Sequence, residues 1–220
     1  MKKKGFIIAG GILIVAVIVA VICFIISGDK GNTSTSTVEL DGTWCVFQYA
    51  ENKTVNEFLV FNNSSVSDYR DGNEDPFVTS SYTYENGKLV MPDISKEFTV
   101  RVVSDNNIVL VEPDTREWKM IKVSNGDRDF KDVTASDLLG EYDVVMVAGE
   151  KRSNEVMTFT DSNLIDTRDG KEYISCNYEI FPGHLLKAID ISKEFYIYKN
   201  GNTLMLIEKD EGYVWELLAK

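Results

Sequence analysis

The chain has 220 residues, 11% aromatic residues and only four prolines, a composition that supports globular domains. Its formal charge is −12, or −15 once Lys2, Lys3 and Lys4 are set aside, which argues against nucleic acid as a partner and against charge-driven docking on anionic lipid. Three cysteines are too few for a disulfide scaffold, and a single histidine, His184, rules out His-based metal sites and catalytic triads, so no cofactor is expected.

Residues 6–26 form an apolar run. As a helix they would be about 31 Å long, enough to cross the hydrocarbon core of a bilayer. The three lysines before it favour a cytoplasmic N-terminus. The run exceeds the roughly 7–15 apolar residues of a cleavable signal, and Ile25-Ile26-Ser27 is a poor cleavage site. Residues 1–27 are therefore read as a retained, single-pass anchor in the cell membrane that contacts lipid through residues 6–26. Everything after it is then extracytoplasmic. Lys3-Lys4-Gly5-Phe6 resembles the leader site of type IV prepilins, although Gly10 stands where their glutamate belongs. Residues 28–37 lack apolar side chains apart from glycine and read as a flexible tether.

In residues 38–125 the alternation of apolar and polar side chains predicts eight short strands, at 43–49, 57–61, 65–70, 80–85, 88–91, 97–103, 107–112 and 117–123. Turn residues separate them, and Asn86-Gly87 is a strong hairpin signal. Phe98, Val100 and Val102 should share one face. Residues 126–137 are a polar linker, with one helical turn capped by Thr134 or Ser136. Residues 138–220 repeat the whole scheme.

The repetition is explicit. Asp93-Ile94-Ser95-Lys96-Glu97-Phe98 returns as Asp190-Ile191-Ser192-Lys193-Glu194-Phe195. Leu40-x-Gly42-x-Trp44 matches Leu138-x-Gly140-x-Tyr142, and Arg70 and Arg168 sit in matching Asp-x-Arg-Asp-Gly turns. From Gly42 to Gly72 the offset holds at 98. It then drifts, and the simplest pairing sets Tyr84 against Tyr178, Cys176 against Tyr82, Gly87 against Gly183, and Trp118 against Trp215. Two units of this length are duplicated domains and not a solenoid. The fold class is thus all-β: two tandem antiparallel meanders, each able to close into an eight-stranded barrel.

The Gly-x-Trp of residues 42–44 at the first strand resembles the opening of lipocalins, and each module is similar in pattern to short bacterial lipocalin-like domains. The resemblance implies a barrel with one end closed by the tryptophan and the other open to an apolar ligand. Tyr142 departs from it in the second copy.

Chemistry-bearing candidates are few. Asp71-Gly72-Asn73-Glu74-Asp75 has calcium-loop spacing, but Pro76 replaces the required glycine and the second copy loses the pattern, so an acidic turn is the expectation. Arg70 and Arg168 are each flanked by two aspartates, as in a turn fastened by its own charge-assisted hydrogen bonds. Asp93 and Asp190 are expected to accept backbone N–H bonds in an Asx-turn, and Lys193 to be a nearly idle surface charge. His184 reads as a solvated turn residue. Trp44, Phe47, Tyr49, Phe58 and Phe61 place bulky groups on both faces of early strands, so the outer set must cover something: the second module, a partner or a ligand. No nucleophile–base pair is visible, which makes an enzyme the least supported class. The reading is a membrane-anchored binding protein for an envelope protein or a small apolar ligand. Its alternative is a structural element of the envelope.

Overall fold

The computed structural model describes residues 38–71, 73–126 and 132–220, the side chains of 53–56 apart. The expected anchor, the tether, Gly72 and residues 127–131 of the linker lie outside these. Among the described residues no helix is long and apolar enough to cross a membrane.

The all-β expectation holds: the chain forms two antiparallel meander barrels. The first runs β1 (Gly42–Tyr49), β2 (Asn52–Asn62), β3 (Ser65–Arg70), β4 (Val78–Ser81), β5 (Thr83–Glu85), β6 (Lys88–Met91), β7 (Lys96–Ser104), β8 (Asn107–Val111) and β9 (Glu117–Ser124), with a 3₁₀ turn at Pro92–Ile94. Tyr82 alone separates β4 from β5, so they form one bent stave. Before the bend it pairs with β3, and after it with β6. Pairing of β1 with β9 closes the ring. The alternation written in the sequence explains the faces. Along β7, Phe98 and Val100 are buried while Thr99 and Arg101 are exposed.

A short helix, α1 (Ala135–Leu138), leads into the second barrel. Thr134 caps it: its amide and hydroxyl donate to Asp137 Oδ2 at 2.8 and 2.6 Å. Then follow β10 (Gly140–Val147), β11 (Glu150–Lys151), β12 (Glu155–Phe159), β13 (Asn163–Arg168), β14 (Lys171–Phe181), β15 (Leu185–Ala188), β16 (Lys193–Asn200), β17 (Thr203–Glu208) and β18 (Val214–Ala219). Here the fourth stave is the unbroken β14, and β10 pairs with β18 to close the ring.

Register corrects the sequence pairing of the two copies. Ser80 faces Val66 as Cys176 faces Leu164. Tyr82 and Tyr178 stand at the same bend, their amides donating to Ser64 and Ser162 and their rings edge-on to Phe61 and Phe159. Tyr178 therefore matches Tyr82, not Tyr84, and Cys176 matches Ser80. The first copy carries two extra residues in the loop after Asp71, where an ungapped comparison loses its place. Gly87 likewise matches His184, not Gly183, because their carbonyls accept the amides of Val100 and Ile197.

The Leu-x-Gly-x-aromatic motif closes one end of each barrel. Leu40 and Leu138 are buried plugs, at 3% and 0% exposure. Trp44 is fully buried, and its Nε1 donates to the Leu40 carbonyl at 2.7 Å; the Tyr142 hydroxyl donates to the Asp137 carbonyl at 3.4 Å. Gly42 has φ +120°, and a Cβ there would lie 2.5 Å from the Ser124 carbonyl oxygen, so only glycine fits.

Each residue type of the repeated hexapeptide has a place in the fold. Ser95 and Ser192 adopt φ of 53° and 54° and end a tight turn. The aspartates do not form the expected local Asx-turn; they reach across to the bent stave. Asp93 Oδ2 accepts from the Ser81 amide at 2.7 Å and hydroxyl at 2.8 Å, and Asp190 Oδ2 accepts from the Asn177 amide and side chain at 2.7 and 2.9 Å. Each carboxylate thus ties the turn to the stave at the point where the ladder changes partner. Phe98 and Phe195 enter the cores. Lys96 and Lys193 pair with the buried carboxylates of Glu112 and Glu208, so Lys193 is not the idle surface charge that the sequence suggests. Lys193→Ala leaves Glu208 buried without its cation and is expected to cost about 1–3 kcal/mol in chemical denaturation.

The Ser81 amide and hydroxyl hold the Asp93 carboxyl below its ordinary value of 3.8. A depressed folded-state value means the contribution is complete above the unfolded value and lost as pH falls through the folded one. Asp93→Asn should therefore be less stable than the parent at neutral pH. Its melting temperature should also fall less between about pH 5 and about pH 2.

The two barrels pack side by side through outer faces. A third cluster, separate from either barrel core, joins Cys45, Phe47, Phe58, Ile121 and Val123 of the first to Tyr198, Met205, Ile207 and Val214 of the second. Glu216 rims it, accepting from Ser104 Oγ at 2.7 Å and Asn106 Nδ2 at 3.0 Å. The outward aromatics thus cover the second module, whereas Trp44, Tyr49 and Phe61 belong to the first core. Cys45 and Cys176 are buried thiols in different clusters. Cys45 Sγ lies 3.6 Å from the Tyr198 hydroxyl, and burial pushes its thiol up to about 12, which makes it unreactive.

Candidate functional site: the open end of the first barrel

Hairpins alternate ends around a meander, so the loops at 50–51, 73–77, 92–95 and 113–116 gather at the end of the first barrel away from Trp44. There the interior is not filled. A cavity of about 360 Å³ opens between β1, β2, β3, β4, the 92–95 turn, β7 and β9. Its wall is largely apolar: Leu59, Val66, Met91, Ile94, Phe98 and Trp118. Phe77, 68% exposed, stands at the rim.

Glu57, Asp68 and Arg70 form a polar knot in that wall. Arg70 donates from Nε and Nη2 to Asp68 Oδ2 at 2.9 and 2.6 Å, and Nη2 lies 3.4 Å from Glu57 Oε1. The Phe77 ring packs on the guanidinium, 4.4 Å from its centroid. Asp68 is 6% exposed, and its Oδ1 has no hydrogen-bond partner among the described residues. Burial raises the Asp68 carboxyl, with Arg70 opposing; burial and then the Asp68 charge raise Glu57. A second knot lies nearby. Glu112 Oε1 accepts from Trp118 Nε1 at 2.8 Å, and its Oε2 takes Lys96 and Arg116 at 3.1 and 2.7 Å.

The second barrel carries the same knots. Arg168 pairs with Asp166 at 2.9 Å and Glu155 at 3.3 Å, and stacks on Tyr173 at 3.8 Å. Asp166 Oδ1 is again unpartnered among the described residues. Burial raises both of these carboxyls as well. One difference stands out. Trp118 donates to Glu112, whereas Trp215 Nε1 is buried without an acceptor among the described residues. The wall residues Tyr49, Leu59, Val66, Ser80 and Met91 correspond to Val147, Met157, Leu164, Cys176 and Ala188.

Of the positions singled out in the sequence, Arg70, Phe98 and Trp118 meet in this cavity wall. Asp93 braces the turn that brings Ile94 to it. Gly42 and Trp44 close the other end, and Gly140, Tyr142, Arg168, Asp190, Phe195 and Trp215 hold matching places in the second barrel. His184 is in a turn but is not solvated. Its ring stacks on Tyr198 with centroids 4.8 Å apart, and Nε2 lies 3.2 Å from Asp132. Burial holds its imidazole below the ordinary range.

Sequence reasoning missed Glu57, Asp68 as a cavity residue, and the aromatic partners Phe77 and Tyr173. The signal for the last pair was an aromatic shortly after each Asp-x-Arg-Asp-Gly turn, hidden by the two-residue length difference between the copies. Neither a scan of protein-family models nor a search of curated proteins returns a match.

Proposed function

We propose that the protein is a non-enzymatic binding protein that takes one small, mainly apolar ligand into the open end of its first barrel. The apolar cavity opposite the Trp44 plug carries this reading. The lipocalin-like resemblance of the Gly-x-Trp opening supports it, since that motif marks barrels closed at one end and receptive at the other. With the apolar run at residues 6–26 as a retained anchor, the site stands outside the cell membrane, where it would meet apolar compounds of the envelope. A partner protein reading through the repeated Lys-Glu edge has less support. Lys96 and Lys193 are spent on buried carboxylates, and Glu97 and Glu194 pair with Lys88 and Lys187.

Nile red added to residues 38–220 tests the proposal. Its fluorescence should rise to saturation at one equivalent. Met91→Trp, which fills the cavity, should weaken binding at least about tenfold, because the space is then occupied by the protein. Unchanged binding by a folded Met91→Trp variant would place the site elsewhere.

A further inference from the structure

We propose that the ligand of the first barrel carries an ammonium group on its apolar body, and that this group binds Asp68 Oδ1. The inference rests on the cavity being the binding site. The make-up of the Glu57–Asp68–Arg70 knot points to it. Glu57 and Asp68 bring two carboxyl groups to the single guanidinium of Arg70, so two acids share one cation. Lys96, the other cation in the wall, is committed to Glu112.

Hydrogen bonding points the same way. Arg70 spends Nε and Nη2 on Asp68 Oδ2, so Oδ1 is left buried with no donor among the described residues. An unpaired buried carboxylate oxygen is costly, and a ligand N–H placed there recovers that cost on binding. The neighbours Val66, Val78, Met91 and Phe98 would cover the alkyl part, and the Phe77–Arg70 stack holds the carboxylate from the rim side. A ligand carboxylate in the same place would face two protein carboxylates and be rejected.

Calorimetry of residues 38–220 with octylamine, octanol and octanoate separates the outcomes. Octylamine should bind roughly tenfold or more tightly than octanol, and octanoate least. Asp68→Asn should erase the preference for octylamine while leaving octanol binding in place. If octanol or octanoate binds the parent protein as tightly as octylamine, the ammonium assignment is wrong and the apolar cavity still stands. If none of the three binds, the cavity reading itself fails. The ligand series on the parent protein decides the matter even if Asp68→Asn does not fold.

Discussion

Trp44→Ala is expected to destabilise the first barrel by about 3–5 kcal/mol. The indole is fully buried among Leu40, Phe61 and neighbouring core side chains, and its Nε1–H is the donor for the Leu40 carbonyl. Truncation leaves a void the size of the ring and an unpaired buried carbonyl. Neither is repaired by collapse, because Gly42 is pinned against the Ser124 carbonyl and fixes the strand entry. Urea denaturation followed by the fluorescence of Trp118 reads the loss. The structure also sets a contrast: Tyr142→Ala, at the matching place in the second barrel, removes a smaller ring with a longer hydrogen bond of 3.4 Å and should cost less.

Met205→Asp is the second large effect. Met205 is fully buried in the cluster between the barrels, against Cys45, Phe47 and Phe58. A carboxylate there would lie within an apolar cluster, and an unpaired buried charge costs about 3–5 kcal/mol. The variant should melt in two steps where the parent melts in one, since the clusters inside each barrel are untouched and only their coupling is lost. Residues 38–125 expressed alone should self-associate, because the faces of Phe47, Phe58 and Ile121 would be exposed. A single transition in Met205→Asp with unchanged midpoint would mean that the interface contributes nothing.

The barrels were legible because strand alternation and turn chemistry are local. Asn86-Gly87, the run from Phe98 to Val102 and the closure motif at Gly42 and Trp44 each state their role within a few residues. The eight strands expected in the first module are the eight staves, with the bend at Tyr82 as the one detail that alternation does not reveal. What failed was non-local. Asp93 and Asp190 looked like turn residues because their acceptor role was legible, but the donors, Ser81 and Asn177, lie 12 and 13 positions away. Lys193 looked idle because its partner, Glu208, is 15 residues distant and buried only once the barrel closes. The cavity was equally hidden. Whether Leu59, Val66, Met91 and Phe98 meet or leave a gap depends on strand tilt and stagger, which no run of residues encodes. The sequence marks Asp68 as half of a turn clasp, which it is through Oδ2; its unused Oδ1 is visible only in three dimensions.

A crystal structure of residues 38–220 grown with octylamine locates the ligand. Ligand density is expected inside the first barrel, bounded by Met91, Phe98 and Trp118, with its nitrogen within hydrogen-bonding distance of Asp68 Oδ1. Density confined to the outer surface or to the seam around Tyr198 and Met205, with the first barrel empty, would contradict this placement.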